Sequence, residues 1–343
     1  MQEPLERLES ALSDFARRPN APCLEQALQH TLHTCLQQGL DQLPLPGAGQ
    51  TLLRWQRLAA VASVDLSLLK LFEGHTDALA ILAELGSQPF SSPGLWAVWA
   101  AEPPAARVQV TGQGSDPVHL NGTKAWCSGA QQVDYALLTA WDEHAQPQLV
   151  AVTLHQPGVR VGQHGWQAVG MASTASVDVQ FEHAVGLRVG APGEYLSRPG
   201  FWQGGAGIAA AWYGAAMALA RALLEHRRQA RPDAHADAHL GAVDAALCGA
   251  AASLRECAAW IDAHPRDDAR LAVQRLRAQV ESAVEQVCRH VGRALGATPY
   301  CRDAHFARLA ADLPVFIRQS HAERDLAQLG QLVSAGSTAA WSL

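Results

Sequence analysis

The spacing of hydrophobic residues changes twice along this 343-residue chain, and these changes constrain the fold more than any other feature. In the first segment, apolar residues recur at intervals of three and four, at Leu58, Val61, Val64, Leu68 and Phe72. This interval places their side chains on one face of a helix. Gly86 and the Ser-Ser-Pro-Gly run at 91–94 are typical of helix ends and loops. We therefore predict a helical region up to about residue 90.

Residues 95–190 show the spacing of strands instead. Short apolar runs occur at 135–141 and 149–154, and apolar residues alternate with polar ones at 177–182. Alternation of this kind is typical of a half-buried strand. Asn121-Gly122 lies between two short strand-like runs, which predicts a two-residue hairpin turn. Several short strands at this spacing favour an antiparallel sandwich or barrel over βαβ units.

From about residue 200 the helical spacing returns. Six apolar residues step by three or four over five turns, at Val273, Leu276, Val280, Val284, Val287 and Val291. The stretches 204–229, 240–263 and 303–335 show helical patterns too, which gives roughly four long helices and favours a bundle. Pro314 interferes with helical hydrogen bonding, so we predict a loop at 314–320. Ser320 and Glu323 match a capping box for the final helix.

In chain order, the three patterns of hydrophobic spacing predict a multidomain α and β protein. An N-terminal helical domain spans residues 1–92, a middle antiparallel β-barrel or sandwich spans 93–196, and a C-terminal four-helix bundle spans 197–343. A chain of this length has room for more than one hydrophobic core.

Composition excludes several classes of function. The net charge of -6 lacks the basic excess of a nucleic-acid surface. Seven cysteines without a CxxC predict buried, reduced thiols and a cytoplasmic protein. The acidic N-terminus is unlike a signal peptide. The sequence has no run of ~18 apolar residues, so we predict no membrane span. His235 and His239 have helical metal spacing, but Pro232 and polar neighbours favour a solvated connection, so we expect no metal site.

An ordered set of motifs lies in the middle segment. Its members are Glu102-Pro103, Asn121-Gly122-Thr123-Lys124-Ala125-Trp126-Cys127-Ser128-Gly129-Ala130, Asp134-Tyr135-Ala136, Pro157-Gly158-Val159, Val169-Gly170-Met171-Ala172-Ser173-Thr174 and Val179-Gln180-Phe181-Glu182. Their order and spacing resemble the β domain of the acyl-CoA dehydrogenase family. The resemblance implies that family's three-domain fold, which agrees with the three regions predicted from hydrophobic spacing.

The resemblance also implies FAD, held between the β domain and the bundle. Trp126 matches the tryptophan that packs against the isoalloxazine ring, and Ser128 matches the hydroxyl that donates a hydrogen bond near flavin N5. Backbone groups of Val98, Ala100 and Ala101 match the strand that contacts the pyrimidine edge. Because family members complete the FAD site across a subunit interface, the resemblance further implies a homodimer or homotetramer.

The chemistry that the resemblance implies is α,β-dehydrogenation of an acyl thioester, on coenzyme A or a carrier protein, with a carboxylate as base. The usual position of that glutamate corresponds to Phe316 or Ile317, and a less common position to residues 204–209, where no acid occurs. His321 and Glu323 remain as candidate catalytic residues. Imidazole can act as a base near neutral pH, and histidine occurs around this loop in flavin monooxygenases of the same fold.

Other departures from the family pattern concern the cofactor. Pro104-Ala105-Ala106 replaces a glycine-rich loop, and residues 290–294 replace a motif that reaches the FAD of a neighbouring subunit. FMN is therefore an alternative to FAD. Three functions stay open at this point: a thioester oxidoreductase, a flavin-dependent monooxygenase or oxidase, and a catalytically inactive scaffold.

Overall fold

The first segment is helical, as predicted. The computed structural model describes residues 4–16, 24–103, 106–112, 117–336 and 341. The first helices are α1 (Pro4–Ala16), α2 (Leu24–Gln37), α3 (Thr51–Val64) and α4 (Leu66–Glu84). The predicted single helical face is wrong, because Asp65 is extended and separates α3 from α4. Its buried carboxylate lies 2.9 Å from Nε of Arg308, so the interruption has a polar partner.

The middle segment forms one seven-stranded sheet. Its strands are β1 (Trp96–Trp99), β2 (Val108–Thr111), β3 (Val118–Cys127), β4 (Tyr135–Trp141), β5 (Pro147–Thr153), β6 (Val159–Val161) and β7 (Val177–Val189). The neighbours β4, β2, β3, β7 and β5 close into a ring because β5 pairs again with β4. The barrel prediction therefore holds for the described residues. The pairings are not all antiparallel, because β4 pairs in parallel with β1 and β2.

The predicted hairpin turn at Asn121-Gly122 is wrong. Both residues lie inside β3, at an irregularity in its pairing with β7. Gly122 has φ +124°, and a Cβ there would lie 2.3 Å from the carbonyl oxygen of Arg107. Asn121 accepts a hydrogen bond from the backbone N–H of His183 at 2.9 Å. The dipeptide thus forms a β-bulge, which uses the same backbone freedom as a tight turn.

The last segment is helical. After the short α5 (Glu194–Ser197), its elements are α6 (Pro199–Gln229), α7 (Ala234–Ala263), α8 (Arg270–Leu295), the short α9 (Thr298–Arg302), α10 (Ala304–Phe316) and α11 (Glu323–Ala335). All six apolar residues of the predicted α8 face are buried. The helix α10 continues through Pro314 to Phe316 and a 3₁₀ turn follows at 317–319, so the break begins within the predicted 314–320 loop but after its proline.

The capping box predicted for α11 is also wrong. Ala322, with φ +47°, precedes the helix, and no side chain caps it. Ser320 instead donates to Oε2 of Glu281 at 2.5 Å and accepts from the backbone N–H of Ala322. The hydroxyl is held by a tertiary contact with α8, which outweighs the local signal.

The chain divides into two compact units. One consists of residues 1–43 and 67–201, and the other consists of residues 44–66 and 202–343. The three-domain boundaries stay a prediction. Among the described residues, α6 alone is long and apolar enough to cross a membrane, and 67% of that apolar window is buried within the protein. Burial of this extent is typical of a core helix.

The cysteine prediction is confirmed only in part. Cys35, Cys127 and Cys257 are buried, whereas Cys248 and Cys301 are exposed, and Cys23 lies outside the described residues. Burial, with a smaller contribution from Asp41, raises the pKa of Cys35 to about 12. A thiol with so high a pKa is protonated at neutral pH and is a poor nucleophile.

Candidate functional site

Trp126 presents an exposed aromatic surface on the sheet. Its indole is 53% exposed, although its neighbours Ala125 and Cys127 are 7% and 0% exposed. The backbone at Trp126 has φ +57°, and the pairing of β3 with β7 shifts register between Lys124 and Cys127. A bulge of this kind re-aims a side chain out of the strand. An exposed indole on an otherwise buried strand end suits a flat apolar ligand.

Ser128 begins a chain of hydroxyl groups that runs into the protein. We call Ser128, Ser176 and Thr174 the hydroxyl chain. Ser128 Oγ lies 2.8 Å from Ser176 Oγ, and Ser176 Oγ lies 2.9 Å from Thr174 Oγ1. Ser128 is partly exposed, whereas Ser176 and Thr174 are 4% and 1% exposed. The partly exposed hydroxyl is therefore held by two buried ones.

The end of β1 is joined to this region through Trp99. The indole Nε1–H of Trp99 donates to the carbonyl oxygen of Ser128 at 3.1 Å. Val98 lies in β1, and Ala100 and Ala101 follow it; all three are half-buried. The structure thus brings the predicted strand end and Ser128 into one neighbourhood, whereas the proposed contacts of Val98, Ala100 and Ala101 with a ligand stay predictions.

A buried ion pair supports β3 just before Trp126. Lys124 is 0% exposed, and its Nζ donates to Oε1 of Glu102 at 2.7 Å and to both oxygens of Thr139 at 2.8 Å. Burial lowers the pKa of Lys124, and Glu102 partly offsets that effect. Burial acts to raise the pKa of Glu102, but hydrogen bonds from Lys124, Thr139 and Trp141 bring it below its usual value. Glu102 is therefore charged at neutral pH, and it favours the charged form of Lys124.

His321 lies in the loop between α10 and α11. Its side chain is 65% exposed, and its Nδ1 lies 3.4 Å from Oδ1 of Asp325. The other oxygen of Asp325 accepts from the backbone N–H of His321 at 3.0 Å. A carboxylate can only accept, so the contact favours a proton on Nδ1 and leaves Nε2 as the nitrogen available for proton exchange. Such a nitrogen can take up a proton.

The loop that carries His321 is fixed by α8. Arg277 donates to the carbonyl oxygens of Gly205 at 2.8 Å and Gln319 at 3.0 Å, and its guanidinium lies 4.7 Å from the ring of Trp212. Burial lowers the pKa of Arg277, with an opposite effect from nearby carboxylates. Glu281 holds Ser320, as described above. These contacts tie the residues before His321 to α8.

The second candidate, Glu323, is exposed and begins α11. A carboxylate in the first turn stabilises a helix through the macrodipole. Phe316 and Ile317, the two residues at which the resemblance predicts the glutamate position, are 3% and 4% exposed. Glu323 therefore has a helix-stabilising position, and its catalytic role stays a prediction.

His235 and His239, which have the helical spacing of metal ligands, form no metal-binding cluster within the described part of the chain. His239 Nδ1 lies 2.9 Å from Nδ1 of His290, a residue of α8. Among the residues that the structure describes, no group of three His, Cys, Asp or Glu side chains is placed to hold a metal ion.

Three residues of these sites were missed by sequence reasoning. Ser176 lies two residues beyond the quoted motif, and nothing in its spacing indicates a partner at Ser128. Asp325 resembles a surface charge because it lies in a polar first turn. Arg277 lies on an amphipathic helix where a solvated arginine is the ordinary expectation. Tertiary contacts alone reveal the roles of Ser176 and Arg277, whereas Asp325 contacts a residue four positions earlier in the chain.

Several solved structures have a fold similar to that of this chain. FMN-bound TdsC from Paenibacillus sp. A11-2, a dibenzothiophene monooxygenase, matches with 19% identity over 96% of both chains and a TM-score of 0.78. KijD3, in complex with FMN and dTDP-3-amino-2,3,6-trideoxy-4-keto-3-methyl-D-glucose, matches with 18% identity, 98% and 95% coverage and a TM-score of 0.80. Butyryl-CoA dehydrogenase from Megasphaera elsdenii matches with 14% identity, 97% and 98% coverage and a TM-score of 0.77.

The chain therefore has the acyl-CoA dehydrogenase fold, and the resemblance inferred from the β-domain motifs is confirmed at the level of fold. No protein-family model matches the chain, and no curated protein matches it in sequence.

Proposed function

We propose that this protein is a flavin-dependent monooxygenase that holds FMN or FAD against Trp126. The observation that carries the proposal is the loop before α11. The resemblance puts the glutamate of a dehydrogenase at Phe316 or Ile317, both of which are apolar and buried, whereas the loop that follows presents His321 beside Asp325. Support also comes from the structural neighbour TdsC, a monooxygenase with FMN.

The residues around Trp126 fit a flavin. An isoalloxazine ring is flat, apolar on its faces and polar at its edge, and the exposed indole and the partly exposed Ser128 hydroxyl complement these two features. The backbone groups of Val98, Ala100 and Ala101 would contact the pyrimidine edge. When bound, the flavin supplies the electron-transfer and oxygen chemistry, and the protein supplies orientation and exclusion of water.

His321 and Asp325 would handle protons in the reaction. Asp325 orients the imidazole through Nδ1, so His321 can accept a proton at Nε2 and later return it. The contacts of Arg277 and Glu281 keep this pair in place.

Dehydrogenation of an acyl thioester is the second candidate. The likeness to butyryl-CoA dehydrogenase at a TM-score of 0.77 favours it, and His321 would then remove the α-proton. The substrate of this candidate is a thioester of coenzyme A or of a carrier protein.

One experiment separates the candidates. The purified protein is loaded with FMN or FAD, and anaerobic butyryl-CoA is added while the flavin absorbance is recorded. A monooxygenase retains the oxidised spectrum, whereas bleaching overturns the first proposal in favour of the second. Reoxidation of bound, reduced flavin by oxygen is then followed by stopped-flow absorbance. We expect the flavin absorbance to change in two resolved kinetic phases in the native protein and in one phase in His321→Ala. His144→Ala, which alters an exposed histidine, is the control and should behave as the native protein does.

A protein that binds neither flavin would overturn both candidates and leave the inactive scaffold. The expected homodimer or homotetramer also stays a proposal, and light scattering at micromolar concentration tests it. A monomer would contradict the subunit-shared cofactor site that the resemblance implies.

A further inference from the structure

The first residue of β1 is held by a histidine of α4. The backbone N–H of Trp96 donates to Nδ1 of His75 at 3.1 Å. A backbone amide can only donate, so Nδ1 carries no proton and accepts with its lone pair. His75 and Trp96 are 2% and 6% exposed, so the amide depends on this acceptor and not on water. The imidazole is therefore neutral, and its proton lies on Nε2.

The carboxylate of Asp41 accepts from that second nitrogen. Nε2 of His75 lies 3.2 Å from Oδ2 of Asp41, which also accepts from Nε2 of Gln42 at 2.9 Å. Asp41 is 2% exposed, and its other oxygen has no hydrogen-bond partner among the described residues. Burial of a carboxylate with one unpartnered oxygen is unfavourable, and is expected where the group serves a specific contact. The amide at one end only donates and the carboxylate at the other end only accepts, so both hydrogen bonds of His75 have a defined direction.

The amide of Trp96 lies on the open edge of β1. Among the described strands, β1 pairs only with β4. In that pairing the carbonyl oxygen of Leu95 accepts from the N–H of Tyr135 at 3.0 Å. The backbone groups of successive residues point to opposite edges of a strand, so those of Trp96 and Val98 point away from β4. His75 therefore binds the first N–H of this edge, and the next backbone groups along it belong to Val98, for which a flavin contact is predicted.

We propose that His75 is a positioning residue for the flavin, and that Asp41 holds its imidazole in the required tautomer. The inference rests on the proposed function, in which the backbone of Val98, Ala100 and Ala101 contacts the pyrimidine edge. His75 acts through β1 and needs no contact with the flavin itself. Loss of its acceptor leaves a buried N–H without a hydrogen bond, which favours displacement of the strand towards another acceptor. The backbone groups that follow would then be displaced from the flavin.

Two substitutions of His75 separate the acceptor from the rest of the side chain. In His75→Asn the amide oxygen takes the place of Nδ1, so an acceptor for Trp96 remains although the contact with Asp41 is lost. In His75→Gln the amide group takes the place of Nε2, so the contact with Asp41 remains and the acceptor is lost. Both variants replace the ring by an amide. His144→Gln, at a histidine whose side chain is 78% exposed, is the control.

The first measurement is hydrogen–deuterium exchange of the flavin-free protein, followed in peptides that cover residues 95–101. We expect faster exchange there in His75→Gln, and exchange close to that of the native protein in His75→Asn and His144→Gln. The second measurement is the dissociation constant of FMN and of FAD by absorbance titration. For whichever flavin binds, we expect a Kd about tenfold higher in His75→Gln and within about threefold of the native value in His75→Asn.

The outcomes distinguish this inference from the proposed function. Equal exchange and equal affinity in His75→Asn and His75→Gln, or failure of either variant to fold, assign His75 a structural role only and overturn the inference while leaving a flavoprotein. Faster exchange in His75→Gln with unchanged flavin affinity also overturns it, because the acceptor then holds the strand without positioning the flavin. If the native protein binds neither flavin, the proposed function fails and the inference fails with it.

Discussion

Replacing Glu102 by glutamine isolates the energetic role of the buried ion pair behind Trp126. Glutamine keeps the shape of the side chain and can still accept from Lys124 at the position of Oε1, but its NH2 group cannot accept from Nε1 of Trp141, which lies 2.6 Å from Oε2. Besides that one hydrogen bond, the substitution removes the negative charge opposite a lysine that is 0% exposed. The substitution therefore leaves a buried positive charge without its partner.

The magnitude follows from the exposure of the two groups. Breaking a fully buried ion pair typically costs about 3–5 kcal/mol. The side chain of Glu102 is 29% exposed, and water partly screens the charge that it leaves behind. We therefore expect a loss of about 2–3 kcal/mol in the free energy of unfolding, and a Tm lower by about 4–8 °C.

The pH dependence has a defined sign. The pKa of Glu102 lies below its usual value, so its stabilising contribution is present at neutral pH and is lost as pH falls through the pKa in the folded protein. The pKa of Lys124 is lowered by burial, and loss of Glu102 lowers it further, so the variant regains stability as pH rises and the lysine loses its proton. The difference between native and Glu102→Gln protein should be largest near neutral pH.

Urea denaturation followed by tryptophan fluorescence at several pH values measures this difference. Glu182→Gln is the matched control, because Glu182 pairs with Arg160 in a bridge whose side chains are 59% and 65% exposed. Exposed pairs of this kind contribute about 0–1 kcal/mol. If the two variants lose the same stability, or if the cost of Glu102→Gln does not change with pH, the reasoning about burial is refuted.

Two further predictions concern the sheet. Trp126→Ala removes a half-exposed indole, so we expect at least tenfold weaker flavin binding in an absorbance titration with an almost unchanged Tm. Gly122→Ala forces a Cβ to within 2.3 Å of the Arg107 carbonyl at φ +124°, so we expect the free energy of unfolding to fall by more than about 2 kcal/mol. Gly241→Ala, in an open position on α7, should stabilise the protein slightly. An equal effect of both glycine changes would contradict the steric argument.

Periodicity predicted the regular elements well where one face is buried. The strand β7 and the buried face of α8 were both recovered, because a side chain that must leave water repeats with the period of its own backbone. The interruption at Asp65 escaped this reasoning. Apolar spacing continues across it, and the ion pair with Arg308 that accommodates the extended residue is remote in sequence.

Local signals were less decisive where tertiary partners compete for the same atoms. Asn121-Gly122 has the chemistry of a hairpin turn and of a bulge alike, and the nearby Arg107 carbonyl explains why glycine is needed in the bulge. Ser320 matches a capping box in sequence, yet its hydroxyl bonds to Glu281 on another helix. Both mistakes arise because a short motif defines what a residue can do, and the surrounding fold selects among the possibilities.

For the candidate site, the resemblance predicts that Trp126 and Ser128 contact a flavin, and these two contacts are proposals. The contacts of the hydroxyl chain could not be predicted from sequence. Nothing in the sequence indicates that Ser176 lies within hydrogen-bond distance of both Ser128 and Thr174.

The left-handed backbone at Trp126, Met171 and Ala175 has a consequence for engineering this protein. Residues other than glycine cost of order 1–3 kcal/mol each in such conformations. Glycine at 171 or 175 would relieve strain in the native state but would also increase the freedom of the unfolded chain, so its gain in stability would be small. At 126 the same exchange would delete the indole itself. Attempts to make the protein more heat-resistant should therefore begin at other positions. At Trp126 a single residue both adopts the strained left-handed backbone conformation and presents the exposed indole.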